Sequence, residues 1–189
     1  LSDTVLYEFL LAEIAAQRGN VGLAAQAYAD LAKRTRDPRI ARRATEIAVF
    51  ARMGNAAIES ATVWHETEPN SQRPLQALSG LLVSAGRFDE ALPYARKLLA
   101  AAGAGTGEGF MQLNRTLASA KDKSAALVMV QRLTEEYPQL PQARYALAQA
   151  AANADRRELA LEEIRRAQEL KPVGDAAVLL EAQLLLPGS

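Results

Sequence analysis

Turn-forming residues recur along this chain at nearly even intervals. Gly19-Asn20, Gly54-Asn55, Gly86-Arg87, Lys121-Asp122 and Asp155-Arg156 stand 35, 32, 36 and 33 residues apart. Prolines make a second ladder. Pro69 and Pro138 are two periods apart, Pro138 and Pro172 are separated by 34 residues, and Pro38 stands 31 residues before Pro69. Such self-similarity marks a stack of supersecondary units, each unable to bury its apolar face alone. Composition decides what each unit is made of. The 189 residues include 39 Ala and 27 Leu against only 14 Val and Ile together. Ala and Leu favour helices, whereas strands favour β-branched residues. A unit of this length therefore holds two helices, and the chain is predicted to be all-α. Eleven helices are expected at roughly 2–18, 20–35, 38–53, 55–67, 72–85, 88–101, 107–120, 122–136, 140–153, 155–170 and 174–186.

The units share an internal order of side-chain sizes. The third runs Leu75, Leu78-Ser79, Leu82, Gly86, Ala91, Ala95 and Leu98. The fourth runs Phe110, Leu113-Asn114, Leu117, Ala126, Val130, Leu133 and Pro138, and the fifth Leu147-Ala148, Ala151, Ala160, Ile164, Ala167 and Pro172. This order resembles the tetratricopeptide repeat. The first unit fits it more loosely, through Leu11-Ala12, Ala15, Gly19, Ala24, Tyr28 and Leu31. The second has two registers: counting back from Pro69 gives Ala41, Ala44, Ala48, Ala57, Ala61 and Trp64, counting from Gly54 gives another, and both stay open. The resemblance implies a right-handed α-solenoid of about five and a half helical hairpins, one domain over 1–189. It also implies a concave face, lined by the first helix of each hairpin, that takes a protein or peptide.

Two local features bear on the element boundaries. Pro93 is compatible with the sixth helix only if that helix starts at about Asp89, because an interior proline removes a backbone bond. The stretch from Ala101 to Gly109 carries four glycines in place of the proline punctuation. It is expected to be the longest and most mobile connection.

Little in the chain points to catalysis. Formal net charge is zero, from 22 basic and 22 acidic residues, which disfavours nucleic acid as a partner. There is no Cys and a single His, so a Cys-ligated or multi-His metal site is excluded, and no cofactor is expected. No apolar run is long enough to span a membrane. His65, after Trp64 and before Glu66, reads as a surface histidine on the fourth helix. The glycines of 103–109 match neither GxGxxG nor GxxxxGK[ST]. Asp89-Glu90, Glu135-Glu136 and Glu162-Glu163 point in different directions on a helix and read as solvated faces. No catalytic residue is assigned; a hydrolase is the weakest reading.

Charge is unevenly spread. Lys33, Arg34, Arg36, Arg39, Arg42, Arg43 and Arg52 face only Asp37 and Glu46 in the segment 33–52, a local charge of +5. Arginine at three- and four-residue spacing could hold an acidic or C-terminal carboxylate segment; an ordinary surface with internal ion pairs is the competing reading. Candidate partner-binding residues on the first helices are Arg39, Arg42, Arg43, Glu46, Arg73, Met111, Arg115, Tyr145 and Gln149. The Lys/Asn/Asn/Lys/Arg clamp of chaperone-binding members is not kept: the corresponding positions hold Phe9, Glu13, Arg43, Arg73 and Ala77. The first and last helices are rich in apolar residues, and Leu6, Phe9, Leu10, Leu179 and Leu180 are candidates for self-association through the ends.

The block from Leu11 to Arg52 is similar to the first repeats of proteobacterial outer-membrane lipoproteins, some of which are adaptors of carboxy-terminal processing proteases. That resemblance implies a non-catalytic adaptor in the periplasm, membrane-attached only through a lipid anchor that this sequence lacks. The alternative is a cytoplasmic peptide-binding or assembly scaffold. The chain opens on Leu1 without an initiator Met and is expected to be a fragment of a longer array.

Overall fold

The computed structural model describes residues 2–170 and 174–186. Among them are eleven α-helices: α1 (Asp3–Gln17), α2 (Val21–Thr35), α3 (Pro38–Phe50), α4 (Gly54–Thr67), α5 (Gln72–Ser84), α6 (Phe88–Ala102), α7 (Thr106–Leu117), α8 (Lys123–Thr134), α9 (Pro141–Asn153), α10 (Arg157–Leu170) and α11 (Asp175–Leu185). All eleven expected helices are present, each end within three residues of its expected place. Pro172, read as the stop after the tenth helix, lies outside the described residues.

Local chemistry explains the boundaries. The Asp37 carboxylate accepts the backbone N–H of Arg39 at 2.9 Å, and Pro38 fills the first position of α3, where no N–H is needed. Asp122 caps α8 in the same way through Ala125, and Pro141 opens α9. Helices α1, α3 and α9 end alike. The backbone N–H groups of Asn20, Met53 and Arg156 reach back to the carbonyls of Ala15, Ala48 and Ala151, each at 2.9 Å. Such a closure puts one residue in the left-handed region. That residue is Gly19 in the first turn, Arg52 in the second and Asp155 in the third.

The register of the second unit follows from this. The turn sits at Arg52, two residues before Gly54, which opens α4. Counting back from Pro69 is correct: Ala41, Ala44, Ala48, Ala57 and Ala61 are all fully buried.

Internal contacts divide the chain into two compact units, Leu1–Ala85 and Gly86–Ser189. In the first, Ala24, Ala25, Ala32, Ala41, Ala44, Ala48 and Ala57 lie where α2, α3 and α4 approach closely. Tyr28, Leu31, Ile40, Ile47 and Trp64 fill the space between. Each large side chain so buried contributes about 1.5–3 kcal/mol, while alanine lets backbones approach without a void. In the second unit Tyr145, Ala148, Ile164, Ala167 and Ala177 join α9, α10 and α11, with Met111 of α7 against them. Phe110 meets Tyr137 edge to face at 5.5 Å.

The glycine-rich stretch differs from expectation. Only a 3-10 turn, Gly103–Gly105, separates α6 from α7, so the link is short and helical. The connection over 135–140, between α8 and α9, is longer. Two of the four glycines serve close packing: a Cβ on Gly107 would come 2.9 Å from Gln142 Cδ, and one on Gly109 2.9 Å from Leu99 Cδ2. Pro93 lies inside α6, which starts at Phe88, one residue earlier than the proline argument required.

Candidate functional site

Helix α3 carries four of the nine predicted partner-binding residues, more than any other helix. Ile40, Ala41, Ala44, Thr45, Ile47 and Ala48 are buried. Its solvent-facing stripe is therefore narrow: Arg39, Arg42, Glu46, Val49 and Phe50, with Arg43 half-buried at its edge. The two apolar members are well exposed, Phe50 at 76% and Val49 at 51%. They were missed in the sequence, where the arginines drew attention. Their signal was the spacing from Arg42 to Glu46, Val49 and Phe50, one helical face.

The basic segment carries its own counter-ions. Arg39 bonds Asp37 through Nη2 at 2.7 Å, and Arg42 bonds Glu46 at 2.8 Å. Lys33 reaches Glu59 at 2.6 Å, Arg36 reaches Glu66 at 2.7 Å, and Arg34 pairs with Glu8. Arg43 holds Glu13 of α1 through Nε at 2.8 Å and Nη2 at 3.2 Å. Beneath them the hydroxyl of fully buried Tyr28 donates to Glu13 Oε1 at 2.5 Å. Arg43, and then Tyr28, hold the Glu13 carboxyl below its ordinary range. Burial, and then the Glu13 carboxylate, push the Tyr28 phenol upward. Six of the seven cations are thus paired, and the +5 seen in the sequence is a local count, not a local field. Arg43 acts mainly as a tie between α1 and α3.

In the second unit the first-helix residues have separate roles. Arg115 is exposed and bonds Glu108 and Gln112 of its own helix. Gln149 accepts the Asn114 amide across the α7–α9 seam. Tyr145 is buried at 6%, and burial raises its phenol, so it packs in the core instead of facing a partner; half-buried Met111 lies against it. Arg73 is exposed at the start of α5.

The end candidates divide similarly. Leu6, Leu10 and Leu179 are exposed at 47%, 50% and 62%. Phe9 turns inward onto Tyr28, edge to face at 5.5 Å, and Leu180 packs against the Tyr145, Ala148 and Ile164 cluster, so these two are half-buried instead of fully presented at the ends.

Two further expectations are corrected. His65 is buried on α4 at 9% exposure, because it lies on the same inner face as Ala61 and Trp64. Glu163 is buried at 3%, held by Arg144 at 3.0 Å and Arg166 at 2.7 Å, so this carboxylate joins α9 to α10 instead of facing water. Among the described residues no group of three or more His, Cys, Asp or Glu is placed to hold a metal ion. No described helix is long and apolar enough to cross a membrane.

Comparison with known proteins meets this geometry at the level of the repeat. No family model matches the chain. A TPR repeat-containing protein of Pseudomonas aeruginosa is 29% identical over 137 residues, which is 72% of this chain and 23% of that one. The chain thus spans less than a quarter of the length of this curated relative. The crystal structure of MamA superposes with a TM-score of 0.51 at 14% identity, covering 99% of this chain and 98% of that one. The fold is that of tandem tetratricopeptide repeats. A second solved structure, YrrB, described as a TPR protein with an unusual peptide-binding site, covers 93% of this chain and 90% of its own at a TM-score of 0.48 and 19% identity. In tetratricopeptide terms α1, α3, α5, α7 and α9 are the first helices of their hairpins, and α2, α4, α6, α8 and α10 the second.

Proposed function

We propose that this chain is a non-catalytic interaction module whose first-helix faces hold a partner protein or peptide. The observation that carries this reading is α3. It is an internal helix, packed on both neighbours, yet its one solvent-facing stripe adds two large apolar side chains to two arginines and a glutamate, where solubility alone requires only polar cover. The tandem-repeat fold supports it, since stacked hairpins present such faces side by side.

A finer reading places the protein in the envelope of a Gram-negative bacterium as an adaptor for a periplasmic protease. It is favoured by the similarity of the Leu11–Arg52 block to outer-membrane repeat lipoproteins. A cytoplasmic scaffold is the alternative. Fractionation of the source cell with an antibody to the full gene product separates the two.

The module reading is tested by affinity capture from source-cell extract. Arg39→Ala with Arg42→Ala and Phe50→Ala is expected to lower recovery of a specific partner at least fivefold relative to Lys97→Ala on α6. Equal recovery would remove α3 from the binding surface.

A further inference from the structure

The exposed stripe of α3 runs from a cation to an apolar pair, and these two ends have unlike chemistry. At its start, Arg39 has 81% of its side chain exposed, whereas its partner Asp37 has only 17%. Asp37 is drawn down to cap the helix, which leaves the guanidinium standing in water. Only Nε and Nη2 of Arg39 are used on Asp37. Guanidinium has five N–H donors, so about three remain for a second carboxylate. In the middle, Arg42 and Glu46 satisfy each other at 2.8 Å. At the far end Val49 and Phe50 project beside the turn that closes on Ala48. That closure fixes the end of the helix, so Phe50 stands on a rigid base, which lowers the ordering cost of a contact. The adjacent first helix, α5, carries Gly80 and Ser84 among its outward positions, and the space beyond Gly80 is open.

We infer that this stripe binds an extended peptide segment that places an apolar side chain on Val49 and Phe50 and a carboxylate on Arg39. The inference rests on the module reading above and names the partner chemistry that this one face selects. Spacing follows from helix geometry. Eleven residues separate Arg39 from Phe50, which is about 16 Å along a helix at 1.5 Å per residue. An extended chain covers that in about five residues. The selected motif is therefore one apolar and one acidic residue, five positions apart, with small neutral residues between them opposite the Arg42–Glu46 pair. A uniformly acidic segment is not selected, because Glu46 and Glu13 already pair Arg42 and Arg43, and only Arg39 at the start of the stripe stands in water with donors to spare.

Fluorescein-labelled peptides test this by anisotropy on the intact chain. One carries Phe and Asp separated by four Ser or Gly residues. Others lack the Phe, lack the Asp, or place the two eleven residues apart on an Ala-rich helix. The five-apart peptide is expected to bind tightest. Phe50→Ser and Arg39→Gln are each expected to weaken it at least fivefold, while Val128→Ser on α8 leaves it unchanged. Raising the salt from about 0.05 to 0.5 M should abolish the Arg39 effect and keep the Phe50 effect, because exposed charges are screened and apolar contacts are not. Both positions are exposed, so thermal melting of the variants should stay within about 3 °C of the parent. Equal binding to Phe50→Ser, tighter binding of the helical peptide, or no binding at millimolar concentration would each overturn the inference. If extract capture instead depends on Arg115 and Gln149 but not on Phe50, the module reading stands and this inference alone fails.

Discussion

At the scale of single residues, the energetics concentrate where a side chain is asked to do something unusual. Arg52 and Asp155 hold φ near 57° in turns where Gly19 serves in the first unit. A left-handed non-glycine residue costs roughly 1–2 kcal/mol. Arg52→Gly and Asp155→Gly are each expected to stabilise by about 1 kcal/mol in urea denaturation, and Gly19→Ala to destabilise by a similar amount. The Glu13–Arg43–Tyr28 cluster predicts behaviour at both pH extremes. Glu13 is held below the ordinary glutamate value of 4.5, so the stability it contributes is present above that pH and is lost as pH falls through the lower folded value. Tyr28 is raised from 10.0, so above pH 10 the unfolded chain ionises while the folded one resists, and stability falls as pH rises. Denaturation curves across pH should show Glu13→Gln flattening the acid limb and Tyr28→Phe the alkaline limb. An unchanged acid limb in Glu13→Gln would remove the cluster as its source.

At the scale of helices, small residues set spacing, and glycine separates into kinds. Gly80 lies inside α5 with open space around it, so Gly80→Ala should gain most of the intrinsic helix preference, about 0.5–1 kcal/mol. Gly109→Ala meets Leu99, which is 3% exposed and has little room to move. There, overpacking of about 1–3 kcal/mol outweighs the same gain, and the variant should melt lower. These elements were also the most legible part of the sequence. The Ala, Leu and proline ladder located every described helix, because the packing rule that creates it repeats with the unit. What could not be read were choices made by neighbours. Nothing local to Gly107 or Gly109 says that Gln142 and Leu99 press on them, so a tight junction resembled a flexible link. His65 resembled a surface residue because the register of the second unit was open. The cations of 33–43 resembled a basic stripe because four of their partners, Glu8, Glu13, Glu59 and Glu66, lie 26–30 residues away in sequence. Of the candidate site, the helix was legible and Val49 and Phe50 were not, since an exposed and a buried aromatic look alike until the register is fixed.

At the scale of the whole chain, the first and last helices of the described residues each show an uncovered apolar face. Helix α1 shows Tyr7, Leu10, Leu11 and Ile14 at helical spacing, and α11 shows Val178, Leu179 and Leu185. We expect concentration-dependent association of the chain in sedimentation velocity, weakened by Leu10→Lys together with Leu179→Lys; unchanged sedimentation of that variant would clear both faces. The ion pairs carry a different lesson. Lys33–Glu59 and Glu8–Arg34 are 26 residues apart, Arg36–Glu66 and Glu13–Arg43 are 30 apart, and neither interval equals the repeat. Glu8 and Arg34 share the first hairpin, but the other three pairs join consecutive hairpins, so a duplicated unit arrives with charges whose partners were left behind in the neighbouring copy. Farther along, Arg96–Glu136 and Asp89–Arg132 stand 40 and 43 residues apart, so coordinated changes among related sequences should fall at separations other than the repeat, and the inheritance of charge in this chain does not follow the period that shapes its helices.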